Sequence, residues 1–163
     1  MPTEHRSAAR ALPFATVLGV LFLTFLDTTI VTVVLGDIQY TLGAGVIPLQ
    51  WVVNAYALPF AALMLFAGSL GDRLGRKKLM VIGIVVFCAG SVVCALAPTV
   101  GALITGRAIM GIGAAASEPG TLSVIRHLFP DRKSRARAIG GWAAVAGMSL
   151  ALGPVIGGLL AAA

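Results

Sequence analysis

The sequence predicts an all-α integral membrane protein with five transmembrane helices. Three observations carry this reading. Of the 163 residues, 58% are hydrophobic and only 11% charged, with a mean hydropathy of +0.98. Soluble domains carry about a quarter charged residues, and a soluble domain of this size has no core large enough to hide so much apolar surface. The apolar residues fall into five continuous runs of 19 to 25 residues, the length a helix needs to cross a bilayer. The charges gather in short islands between those runs. Barrel strands would need about 10 residues of strict alternation, which is not the pattern here. Backbone groups in lipid must be paired within their own segment, so continuous apolar runs become helices.

Residues 1–11, MPTEHRSAARA, are expected to form a short polar tail. The run that follows, 12–36, is too long for the apolar region of a signal peptide, about 7–15 residues. It is read as an uncleaved first span. Residues 37–47 form a connection with Gly43 and Gly45, and span 2 covers 48–70. A basic loop at 71–78 leads into span 3 at 79–97, which Pro98 closes. The minimal link at 98–101 predicts a tight antiparallel hairpin into span 4, 102–125. A second basic loop, RHLFPDRKSRAR, precedes span 5 at 138–160.

The basic residues set the expected orientation. Arg6 and Arg10 lie in the tail. Arg73, Arg76, Lys77 and Lys78 lie between spans 2 and 3. Arg126, Arg132, Lys133, Arg135 and Arg137 lie in or beside the loop between spans 4 and 5. The other two loops have none. Positive charge marks cytoplasmic loops, so the tail and both basic loops are expected in the cytoplasm of a multi-pass plasma (inner) membrane protein. The same distribution argues against a nucleic-acid partner despite the net charge of +6, because the charges are spread over separate loops. Five spans would bring the C-terminus out at the end of a helix, as expected of a truncated chain. Cys88 and Cys94 sit on different faces of one apolar run, and are read as packing residues rather than metal ligands.

Three ionisable residues fall inside spans: Asp27, Arg107 and Glu118. Each costs about 2.5–3.5 kcal/mol near a helix centre if left to lipid, so each should face a partner or a polar cavity. Asp27 lies about 14 Å and Arg107 about 8 Å from the outer end of its span. The two depths allow a pair if spans 1 and 4 touch. Glu118 follows Arg107 by eleven residues, which returns to nearly the same face about 16 Å deeper. Arg107, Gly111 and Glu118 are thus expected along one stripe. Two readings of Glu118 stand here: a titratable group in the cavity, or a hydrated carboxylate paired with Arg126. Pro119 beside it would open the helix. In span 2, Trp51 suits an interfacial anchor, and Asn54 and Tyr56 are candidate substrate contacts. Gly111-Ile112-Gly113-Ala114 mimics a dinucleotide fingerprint, but no strand precedes it; such small residues let another helix come close. Pro154, flanked by Gly153, Gly157 and Gly158, is expected to bend span 5. No nucleophile–base set, metal-ligand spacing or phosphate loop is present, so neither an enzyme nor a cofactor is expected.

These motifs together resemble the N-terminal portion of major facilitator superfamily transporters, most of all the fourteen-span drug:proton antiporter branch. Gly68-x-Leu70-Gly71-Asp72-Arg73-x-Gly75-Arg76-Lys77 matches the family's loop 2–3 signature. Leu26-Asp27-Thr28-Thr29-Ile30-Val31 resembles the branch's span 1 signature, and Gln50-Trp51-Val52-Val53-x-Ala55-Tyr56 its span 2 entrance. Leu103-x-x-x-Arg107-x-x-Met110-Gly111-x-Gly113-Ala114-Ala115 matches the span 4 motif. Gly140-x8-Ser149-x3-Gly153-Pro154-x2-Gly157-Gly158 matches the span 5 motif associated with antiporters. The chain departs from the branch at Thr32, Gly36, Met110 and Ser149, and Glu118 belongs to no motif of it.

The resemblance implies part of the N-terminal six-helix half of a major facilitator fold, with the remaining helices as its partners. It implies proton-coupled export of lipophilic or cationic drugs by alternating access, with a proton gradient as the driving force. Asp27 and Arg107 would couple export to proton entry. Gly68, Asp72, Arg73, Gly75, Arg76 and Lys77 would form a conformational latch. Gly153, Pro154, Gly157 and Gly158 would set a bend that discriminates antiport from symport. The alternatives are another solute transporter of the same fold, or a fragment without transport of its own. Asp72 is placed near the end of span 2, either capping span 3 or facing a helix N-terminus in the absent half.

Overall fold

A computed structural model describes residues 3–161. It consists of five helices: α1 (Thr3–Leu42), α2 (Val46–Leu74), α3 (Arg76–Ala95), α4 (Val100–Leu128) and α5 (Arg132–Ala161). Each contains a stretch long and apolar enough to cross a membrane, and the first such stretch is Leu12–Leu42. The helices carry further into the polar connections than the apolar runs do. The first link shrinks to 43–45, the second to Gly75 alone and the fourth to 129–131. Arg, Lys and Leu are good helix formers, so nothing at the ends of the apolar runs stops the backbone ladder.

Gly68 was expected at the end of the second span, but it lies inside α2. No proline stands between it and Leu74, and the ladder runs through Gly71 until the Gly75 N–H bonds the Gly71 carbonyl at 3.0 Å. Gly75 then turns the chain alone, with φ at +93°, a region that side chains with a Cβ rarely adopt. At the opposite end of the bundle, Thr99 caps α4. Its Oγ1 accepts from the Ala102 N–H at 3.3 Å, satisfying one of the free donors of the first turn. Asp131 does the same for α5, accepting from the N–H and the hydroxyl of Ser134, each at 2.9 Å. These bonds hold the exposed Asp131 carboxyl below its usual range.

Most threonine hydroxyls of α1 are satisfied within the helix. Thr16, Thr28 and Thr32 donate to carbonyls three or four residues earlier. This is how hydroxyls are carried through an apolar layer.

Helix α4 is the hub. It packs along α2 and α3 and touches α1, while α5 packs mainly along α1. Small residues permit the close approach. A Cβ on Gly83 would come within 2.6 Å of the Gly113 carbonyl, and one on Gly90 within 2.7 Å of the Met110 nitrogen. The backbones of α3 and α4 therefore lie in direct contact. Two apolar clusters fill the remaining space. Val17, Met80, Ile125 and Ala138 pack together near the basic end, where Phe14 meets Phe129 edge-on at 5.4 Å. Tyr56, Met110 and Ala114 form the second cluster, further along α4.

Candidate functional site

The pattern of small residues that brings α4 against its neighbours also buries two of its ionisable side chains, Arg107 and Glu118. Arg107 is 2% exposed. Its Nη1 donates to Asp27 Oδ2 across the α1–α4 seam. Its Nε donates to the Val52 carbonyl of α2 at 3.2 Å. The guanidinium carbon lies 4.5 Å from the centre of the Tyr56 ring, a cation–π contact. One cation thus ties three helices through a carboxylate, a peptide carbonyl and an aromatic face. Tyr56 is itself buried and stacks on Phe60, with ring centres 6.0 Å apart.

Glu118 lies on the same buried stripe of α4 as Arg107 and Gly111. It is 6% exposed, and the Thr24 hydroxyl of α1 bonds its Oε1 at 2.7 Å. Arg126, the alternative partner considered from the sequence, is exposed. Among the described residues the ion pairs are Arg76–Asp72 and Arg107–Asp27, so the buried Glu118 is not the hydrated partner of Arg126 in this structure. The Glu118 carbonyl accepts from the Thr121 hydroxyl at 2.7 Å, and Thr121 accepts from the Trp142 indole at 3.3 Å. Among the described residues no buried side-chain polar atom lacks a partner. The seam is a satisfied network, the form in which buried polar groups are tolerated.

Asn54 does not join the cluster. It is exposed on α2, as is Trp51. Asp72 lies inside α2 and does not cap α3, whose N-cap is Gly75 with no side-chain bond. Its carboxylate instead accepts from Arg76 Nε at 2.9 Å and pairs with Arg76 Nη2 at 2.7 Å, with both side chains open to solvent. Arg73 and Lys77 are exposed. A recess of about 150 Å3 separates Gly68, Gly71 and Asp72 from Pro119 and Gly120 of α4. In α5, Gly153 and Gly157 press against Thr29, Ile30 and Val33 of α1, whereas Gly158 faces open space. Pro154 is exposed within a continuous helix.

Reading the sequence for ionisable residues found Asp27, Arg107 and Glu118, but missed Thr24 and Val52. Thr24 carried a signal, being three residues before Asp27 and so on the same face of α1. The Val52 contact is a peptide carbonyl and leaves no trace in residue type.

A bundle of five membrane-length helices, in which a buried arginine of one helix bonds to two others, defines a polytopic membrane protein. The chain belongs to the major facilitator superfamily, whose family model matches residues 17–163. It is 44% identical over 146 residues to the multidrug resistance protein Stp of Mycobacterium tuberculosis, a match covering 90% of this chain and 27% of that protein. It is 41% identical over 138 residues to the methylenomycin A resistance protein of Streptomyces coelicolor, covering 85% and 29% of the two. The tetracenomycin C resistance and export protein of Streptomyces glaucescens is 37% identical over 157 residues, covering 94% and 29%. The chain spans under a third of the length of these relatives.

Proposed function

We propose that this chain is the N-terminal part of a longer transporter that exports lipophilic or cationic compounds in exchange for protons. The observation that supports this most is the Asp27–Arg107 pair. An ion pair between two helices whose arginine is buried and whose carboxylate is largely so is coupled to their packing, because removing the carboxylate leaves a buried charge uncompensated. A proton arriving on Asp27 neutralises the carboxylate. Arg107 then keeps only the Val52 carbonyl and the Tyr56 face, both on α2. The α1–α4 contact loosens while α2–α4 holds. That is a two-state element of the kind alternating access requires. Glu118 belongs to the same seam as a further proton-coupling group.

Tyr56 and Asn54 lie on the helix adjoining this seam and are the proposed substrate contacts. An aromatic and acidic setting favours cations, and the export of drugs follows the resistance and export named for the relatives. Asp72, Arg73, Arg76 and Lys77, with Gly68 and Gly75, form the proposed latch toward the remaining helices. Gly153, Pro154, Gly157 and Gly158 form the proposed antiporter bend. In this reading the protein lies in the plasma membrane with the tail and the two basic loops on the cytoplasmic side, the orientation that positive charge in loops favours. The chemistry requires no cofactor beyond the proton gradient.

The experiment uses everted membrane vesicles of a host expressing the full-length protein, acidified inside. Adding a lipophilic cation should release protons from the vesicles, and the D27N variant should release none. Substrate movement unaffected by collapsing the proton gradient would favour a facilitator of the same fold that is not coupled to protons.

A further inference from the structure

We propose that Glu118 is a second exchangeable-proton site, separate from the Asp27–Arg107 pair, with the Thr24 hydroxyl as a partner that fits either charge state. The use of this proton in transport rests on the reading above. The site itself rests on the geometry of the α1–α4 seam.

Two ion pairs occur among the described residues, Arg76–Asp72 and Arg107–Asp27. Glu118 takes part in neither. Its carboxyl is buried against a hydroxyl rather than a cation, and that difference decides what a proton does at each place. At Asp27 protonation dissolves a charge pair. At Glu118 it leaves the contact standing. Thr24 Oγ1 lies 2.7 Å from Glu118 Oε1 and 3.1 Å from the carbonyl oxygens of both Val20 and Leu21. A hydroxyl has one proton to give and two lone pairs to accept with. Three acceptor oxygens therefore compete for one proton.

With Glu118 ionised, the Thr24 O–H points to Oε1. When a hydronium ion delivers its proton to Glu118 and leaves as water, the carboxyl O–H donates to Thr24 Oγ1. The Thr24 proton then swings to the carbonyl of Val20 or Leu21, the ordinary back-bond of a helical threonine. Both states keep an oxygen–oxygen hydrogen bond of the same span, so the seam gains and loses a proton without repacking. The reverse step returns the proton to water.

The surroundings support reversible loading. Pro119 has no N–H to give the Ala115 carbonyl, so α4 loses that ladder bond one turn before the carboxyl. The Thr121 and Trp142 bonds described above brace the helix on the other side. Few charges compete. From α1, Asp27 lies one turn beyond Thr24. From α2, Tyr56 faces the stripe at Gly111. From α3, Gly83 faces Ser117, and Arg76 lies backbone-on against Gly120 with its guanidinium turned to Asp72. α5 presents the uncharged Trp142. On α4 itself Arg107 is committed to Asp27.

The test is pH-difference infrared spectroscopy of the full-length protein in liposomes without substrate. Carboxyl C=O bands report each protonated Asp or Glu. The wild type should show two components from this seam. E118Q should lose one and D27N the other, and T24V should shift the Glu118 component in frequency without abolishing it. An E118Q spectrum identical to that of the wild type would overturn the proposal. So would a Glu118 component unmoved by T24V. Circular dichroism and elution volume check that E118Q is folded. If it is not, T24S and T24V decide, since the hydroxyl-bearing variant should keep the wild-type band and the other should move it. Because no substrate is present, a protein that exports nothing can still show both components. One that loses coupling in D27N but shows a single component keeps the transport reading and loses this one.

Discussion

Gly111 of α4 lies directly on the backbone of Tyr56, the residue whose ring covers the Arg107 guanidinium. A Cβ at position 111 would stand 3.1 Å from the Tyr56 Cα and closer still to its carbonyl oxygen. Arg107 and Gly111 are one turn apart, so the contact that seats α4 on α2 also sets the height of the ring over the cation. Backbone atoms cannot step aside as a flexible side chain can. G111A should therefore push the two helices apart and cost about 1–3 kcal/mol, in the range of overpacking. The thermal unfolding midpoint in detergent, compared with that of the wild type, checks this.

The glycines of α5 should separate sharply. A Cβ at Gly153 would stand 2.7 Å from Thr29 Cβ, whereas nothing lies within 4 Å of one at Gly158. G153A should lower the unfolding midpoint, and shrinking Thr29 in the same protein should restore part of the loss. G158A should be neutral or slightly stabilising, since Ala is preferred over Gly inside a helix by about 0.5–1 kcal/mol. Equal effects of the two would contradict the α1–α5 packing.

Gly75 and Gly68 make a second pair. Gly75 turns the chain at φ +93°, where another residue costs on the order of 1–3 kcal/mol. Gly68 is helical with open space around its Cα. G75A should destabilise and G68A should not, measured by the same unfolding assay.

Asp72 and Arg76 form an exposed pair one turn apart, and such pairs contribute about 0–1 kcal/mol. D72N should leave insertion and thermal stability nearly unchanged. If the residue serves the proposed latch, the same variant should abolish export by the full-length protein. Normal export by D72N would remove Asp72 from that role.

The helical class and the five spans were legible because lipid admits so few backbone arrangements. A run of apolar residues long enough to span must close its own hydrogen bonds. The ends were less legible. Arg76, Lys77 and Arg132 read as loop residues by charge, yet they continue or begin helices, since charge reports depth in the membrane rather than backbone conformation. At the site, Asp27 and Arg107 stood out because an ionisable residue in an apolar run needs a partner, and their depths matched. Glu118 was equally visible, but its partner was not. A cation was the natural expectation, and Thr24, an ordinary residue of an apolar helix, took its place. The seating of Arg107 on the Val52 carbonyl and the Tyr56 ring depends on how α2 crosses α4, which no residue type announces.

The central claim is that Asp27 and Arg107 act as one charge pair in coupling. The most direct measurement is substrate-driven proton movement in vesicles for D27R, R107D and the charge-swapped double variant of the full-length protein. Each single variant sets two like charges against each other and should lose transport, by a hundredfold or more if about 3 kcal/mol is forfeited on breaking a buried pair. The double variant should recover a measurable part of it. Two inactive singles with an equally inactive but folded double, or a single variant that still couples protons to export, would contradict the claim.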